Sequence, residues 1–288
     1  MIHLFMALHA EAAPLIDALS LRARPSSGPF RSWVSPSGHL ILTLTGPGPY
    51  AAAACTSAVL NASGSSPQDV LICLGSCASL DTERAPLGCL YRIHALQDLA
   101  SGFRYYPDMI FRTRLPESDL LTGARVLNSR ELDAMRQNTM PALYDMESAA
   151  VCAAARLYLG PHQMLFLRYA TDTGGESVTP ESLRAGGEAH LDAVLEILEA
   201  YEAYARQLQD PWDPAGDDAL ESLIQEMRCS ETMGIQLRQM HRYARLTGFP
   251  WEDMIREFHD QDRLPVPGRK EGKDVLVCIR TRLYTQTV

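Results

Sequence analysis

The sequence predicts an α/β domain followed by a small helical module, and three observations point there. Apolar runs of strand length recur at 2–8, 69–74 and 165–170. Alanine-rich stretches at 51–60 and 148–158 intervene, reading as helices able to press closely on a sheet. Beyond Asp210-Pro211-Trp212-Asp213-Pro214-Ala215-Gly216 every patterned segment is helical. A length of 288 residues accommodates one large α/β domain with an appendage. The expected division is a domain over 1–209, a linker over 210–218 and a helical module over 219–288.

Composition excludes several classes. Hydrophobic residues make up 46% and charged residues 21%, ordinary for a globular protein. No apolar stretch is long enough for a membrane-spanning helix, and the start, Met1-Ile2-His3-Leu4, has no basic leader pattern, so a cytoplasmic protein without a membrane partner is expected. The net charge of -9 argues against nucleic acid as the main partner. The seven cysteines are scattered in apolar contexts, odd in number and without CxxC spacing, and read as small buried hydrophobes. No metal site and no cofactor are expected.

The first strand, 2–8, runs through His9-Ala10-Glu11 into a helix over 12–19 with Pro14 in its first turn. Glu11 therefore stands at a strand end and near a helix N-terminus, either complementing the helix dipole or serving chemistry. Strands at 32–35 and 39–45 are joined by the turn Pro36-Ser37-Gly38. Gly46-Pro47-Gly48-Pro49-Tyr50 then leads into the 51–60 helix, a glycine loop whose N–H groups suit an anion or a ribose hydroxyl. The strand at 69–74 ends in Gly75-Ser76-Cys77-Ala78-Ser79, small residues that let a ligand approach the backbone.

Another strand is expected at 88–94. The loop after it carries Phe103, Arg104, Tyr105 and Tyr106, which suit either stacking on a planar base or packing on the surface. Residues 125–128 are short and poorly patterned. Tyr144-Asp145-Met146-Glu147 opens the 148–158 helix with Glu147 near its beginning.

The run Leu165-Phe166-Leu167-Arg168-Tyr169-Ala170-Thr171-Asp172 ends in a carboxylate followed by Thr173-Gly174-Gly175. Open α/β sheets bind ligands outside the carboxyl ends of their strands, which makes Asp172 the leading catalytic candidate; the competing reading is a cap for the next turn. Thr179-Pro180-Glu181 starts a helix expected to run to Gln207, with a break at Gly186-Gly187. Helices at 219–227, 232–246, 251–258 and 273–284 form the module, with Met233, Leu237, Met240 and Ala244 on one apolar face.

Five segments together resemble the nucleoside phosphorylase and nucleosidase superfamily, most closely its methylthioadenosine/S-adenosylhomocysteine nucleosidase branch. They are Ala7-Leu8-His9-Ala10-Glu11, Gly46-Pro47-Gly48-Pro49-Tyr50-Ala51-Ala52, Gly75-Ser76-Cys77-Ala78, Tyr144-Asp145-Met146-Glu147-Ser148-Ala149-Ala150 and Arg168-Tyr169-Ala170-Thr171-Asp172, in the family's order over the first three-quarters of the chain. The resemblance implies a phosphorylase/hydrolase-like three-layer fold with a central mixed sheet, a purine nucleoside as ligand, and a homodimer or higher homo-oligomer. It implies Asp172 as the acid that protonates the purine and Glu11 as the residue that activates water. It further implies Glu147 on the ribose hydroxyls, Met146 against the sugar, Gly75 and Ser76 beside the substrate, and Phe103, Tyr105 or Tyr106 as the base stacker. Phosphorylases of the superfamily resemble one another in an arginine shortly before the glycine-serine motif; here Cys73 and Leu74 stand there, which favours water as nucleophile. Phosphorolysis, with phosphate held by Arg104 or by backbone N–H groups, is the alternative, and a non-catalytic nucleoside-binding or partner protein is the third reading.

Overall fold

The computed structural model describes residues 1–24, 28–64, 66, 68–110, 113–137, 141–175, 178–207 and 218–285. The chain divides into two compact units, Met1–Gln209 and Asp210–Val288. The expected linker lies outside the described residues except for Asp218.

The first unit runs β1 (Ile2–Met6), α1 (His9–Ala18), β2 (Arg22–Ala23), β3 (Ser32–Val34), β4 (Leu40–Leu44), α2 (Pro49–Ser63), β5 (Val70–Ser79), β6 (Leu90–Asp98), β7 (Arg104–Tyr105), β8 (Glu117–Thr122), α3 (Ser129–Gln137), β9 (Leu143–Asp145), α4 (Ser148–Ala155), β10 (Met164–Asp172), α5 (Pro180–Ala189) and α6 (Leu191–Gln207). One mixed sheet holds these strands. β5 pairs in parallel with β1 and β10 and antiparallel with β9 at its far end. β10 pairs with β6, β6 with β8, and β8 with β9, so β5, β10, β6, β8 and β9 close into a ring. β1, β4, β3 and β2 continue the sheet outward from β5.

The central strands β1, β4, β5 and β10 are buried on both faces, and their alternate residues feed two cores. Phe5, Leu71, Cys73 and Phe166 meet Ala52 and Cys55 of α2 and Ala149, Val151 and Cys152 of α4. Ile2, Leu4, Met6, Ile72, Leu165 and Leu167 meet Ala12 and Leu15 of α1 and Val194, Leu198 and Tyr201 of α6. The result is a three-layer α/β fold, helices on both sides of a mixed sheet, as expected from the sequence.

Several details depart from the sequence reading. β8, β9 and α3 fill a region where no element was expected, and the strand expected at 88–94 runs from Leu90 to Asp98. α1 starts at His9, earlier than expected, placing Glu11 inside its first turn. α5 passes straight through Gly186-Gly187; the break falls at His190, whose backbone leaves the helical region.

The second unit packs α7 (Asp218–Glu226), α8 (Glu231–Thr247), α9 (Trp251–Asp260) and α10 (Arg269–Thr285) around a core of its own. Leu237, Met240 and Ala244 are buried there and Met233 packs against them, so the methionine stripe is core. Among the described residues no helix is long and apolar enough to cross a membrane.

Candidate active site

The carboxyl ends of β1, β5, β9 and β10 converge on a cavity of about 240 Å³, and Glu11, Glu147 and Asp172 all line it. Ser76, Met146 and Cys77 share the wall. Three carboxylates far apart in sequence thus face one space, where parallel strand ends place ligands.

Each carboxylate is held by a different part of the fold. Glu11 is buried. Its Oε1 accepts the Ser76 N–H at 2.9 Å and the Ser76 hydroxyl at 2.6 Å, and its Oε2 accepts the Leu8 N–H at 3.1 Å. It complements the start of α1 and faces the cavity at once. Glu147 precedes the first residue of α4 and accepts the Gly48 N–H at 2.8 Å. The glycine loop thus spends this donor on a protein carboxylate. Burial, with the nearby Asp145 carboxylate, pushes Glu147 up to about 7 against the opposing pull of the Gly48 hydrogen bond.

Asp172 caps the turn that follows it and also lines the cavity. Its Oδ1 accepts the Gly174 N–H at 2.7 Å and its Oδ2 accepts the Thr171 hydroxyl at 2.8 Å, while the side chain lines the cavity. The β10–β5 register shifts between Ala170 and Asp172, an irregularity of the kind that re-aims a side chain at a strand end.

Asp145 also lines the cavity, and it belongs to a buried ion pair. Arg168 gives Nε to Asp145 Oδ2 at 2.9 Å, Nη1 to the Leu167 carbonyl at 3.0 Å and Nη2 to the Cys73 sulfur at 3.2 Å. Asp145 also accepts the Thr122 hydroxyl at 2.6 Å and the Ser148 N–H at 2.9 Å, which fixes the turn carrying Met146 and Glu147 onto α4. Gly75 does not line the cavity. A side chain there would begin 3.4 Å from Glu11 Oε1 and 3.5 Å from Arg168 Nη1, so its smallness admits these two groups rather than a ligand.

The three aromatics lie elsewhere. Tyr105 belongs to β7, beside β6, with Arg156 over its ring, and Phe103 and Tyr106 are 66% and 61% exposed. None lines this cavity, and neither does Arg104, which bonds to Gln97. The apolar wall instead comes from Leu8, Pro47, Val126, Leu127, Val178 and Leu183. Most of these sit on loops, where hydrophobic periodicity gives no signal. Among the described residues that line the cavity there is no arginine, lysine or histidine.

No family model and no curated protein matches the sequence. Solved structures match the fold. The 5'-methylthioadenosine/S-adenosylhomocysteine nucleosidase of Helicobacter pylori superposes with a TM-score of 0.58 at 14% identity, over 69% of this chain and 97% of that one. Over that part the chain has the fold of this nucleosidase. The futalosine hydrolase of Helicobacter pylori is similar at 15% identity and TM-score 0.58, over 69% of this chain and 97% of that one. The 5'-methylthioadenosine nucleosidase of Arabidopsis thaliana is similar at 20% identity and TM-score 0.58, over 69% and 95%. These nucleosidase-fold structures are matched over nearly their whole length.

Proposed function

We propose that the protein hydrolyses the N-glycosidic bond of a purine nucleoside of the methylthioadenosine/S-adenosylhomocysteine type. The observation that carries this reading is the convergence of Glu11, Glu147 and Asp172 on one largely apolar cavity. A neutral sugar and a planar base suit such walls; a phosphate anion would meet carboxylates and, among the described lining residues, no cation. One structural neighbour, a nucleosidase of Helicobacter pylori, was solved with 5'-methylthioadenosine in its active site, which supports the substrate class.

The division of labour follows from chemistry. A purine is a poor leaving group until its N7 is protonated, so Asp172 acts as the general acid that delivers that proton as the bond breaks. Positive charge then develops on the sugar, as in glycoside hydrolysis generally. Glu147 accepts the ribose hydroxyls and, once ionised, stabilises that charge, with Met146 packed on the sugar. Glu11, held by Ser76, takes the proton of the water that attacks the anomeric carbon. Two carboxylates of unlike environment, one donating and one accepting, are what this sequence of events requires.

The test is incubation of the full chain with methylthioadenosine, S-adenosylhomocysteine, adenosine and inosine, with and without phosphate, followed by chromatography of the free base. Release independent of phosphate is expected. Strict dependence on phosphate would make the protein a phosphorylase, and tight nucleoside binding without turnover would make it a binding protein.

A further inference from the structure

Glu11 borders a second cavity, behind the first. Its volume is about 10 Å³, and Leu15, Tyr169, Gly187, His190 and Val194 line it together with Glu11. That is room for one water molecule. Two glycines create the arrangement. A side chain on Gly186 would begin 2.7 Å from the Tyr169 ring, and one on Gly187 would begin 3.1 Å from the Glu11 carbonyl oxygen. Their absence lets α5 lie directly on β10 and on the first turn of α1, so that His190, at the end of α5, comes within 5.9 Å of Tyr169, ring centre to ring centre. His190 is partly exposed, so it belongs both to the wall of this cavity and to the protein surface.

A general base that has taken a proton must lose it before the next turnover, and on its front face Glu11 meets substrate or product. Resting on the hydrolase reading above, we propose that His190 conducts to solvent, through a water in this second cavity, the proton that Glu11 removes from the attacking water. The bonds balance simply. The water oxygen bonds to the anomeric carbon as its O–H bond breaks, and the proton goes to Glu11. Glu11 protonates the cavity water, that water passes one of its protons to a ring nitrogen of His190, and His190 releases a proton to bulk. No electrons are transferred.

The groups around the path suit it. Burial lowers the proton affinity of His190 below that of an ordinary imidazole, which favours its neutral form and the release of any proton it takes up. The other titratable groups on the cavity are Glu11 from α1 and Tyr169 from β10; burial, with Glu11 nearby, keeps the Tyr169 hydroxyl protonated, so it does not compete for the proton.

Two variants of the full chain test the proposal. His190→Gln removes the acceptor, and Val194→Ile adds a methyl group to the cavity wall while keeping His190. With a nucleoside that the wild type hydrolyses, each is expected to lower kcat by about tenfold or more with KM little changed, and added imidazole is expected to restore part of the His190→Gln rate. Wild-type kcat in either variant, or a His190→Gln loss that does not respond to imidazole, overturns the relay. Wild-type protein that releases no base from any nucleoside overturns the hydrolase reading itself, a distinct result.

Discussion

Ser76 gives both its backbone N–H and its hydroxyl to one oxygen of Glu11, at 2.9 and 2.6 Å. β5 thereby locks a carboxylate that belongs to α1, and the lock sits on the cavity wall. A hydrogen bond to a charged group is worth about 1.5–3 kcal/mol, so Ser76→Ala is expected to lower kcat roughly 10- to 100-fold, the backbone donor surviving. Steady-state kinetics beside a thermal melt checks this: kcat falls while the melting temperature stays within a few degrees.

The Arg168–Asp145 pair makes a stability prediction. Arg168→Met leaves the buried Asp145 carboxylate without its cation and is expected to cost about 3–5 kcal/mol. Asp145→Asn in the same chain is expected to recover part of that loss, since the uncompensated charge is then gone. Denaturant unfolding of the two single variants and the double variant measures the coupling.

Glu147 makes a pH prediction. Its folded value of about 7 lies above the ordinary 4.5, so the folded state holds a proton that the unfolded state has released. The stabilisation is complete below about pH 4.5 and is lost as pH rises through about 7, so this residue's contribution to the melting temperature declines across that window. Nucleoside affinity runs the other way, because the ionised carboxylate is the better acceptor for ribose hydroxyls. Melting and binding curves of wild type and Glu147→Gln from pH 4.5 to 7.5 test both slopes, and the variant is expected to lack them.

The two units have separate hydrophobic cores. A chain ending after Gly216 is accordingly expected to remain folded and to bind nucleoside, as read by circular dichroism and calorimetry. Insoluble protein would show that the helical unit is needed to complete the first.

What the sequence revealed of the site and what it hid have physical causes. Asp172 and Glu11 were legible because the first ends an apolar strand and the second follows one within a few residues, and strand ends are where an α/β sheet places ligands. The Arg168–Asp145 pair was not, because it joins β10 to β9 through pairings that no local pattern encodes. Val126, Leu127 and Val178 were hidden for a similar reason: they lie on loops, so no periodicity marks them as cavity wall. The aromatic cluster drew attention by composition, yet β7 carries Tyr105 along the edge of β6 rather than into the cavity. The glycine pair at 186–187 read as a helix break because glycine weakens helices; close packing on Tyr169 and Glu11 outweighs that cost.

The most direct measurement is made on Asp172→Asn in phosphate-free buffer, with base release and nucleoside binding followed on the same preparation. Asparagine keeps the oxygen that accepts the Gly174 N–H and removes the acidic proton. The expected result is binding close to wild type with base release slowed by about 10²- to 10⁴-fold, the range for losing a general acid. Base release by Asp172→Asn at the wild-type rate would contradict the assignment of Asp172 as proton donor to the departing purine.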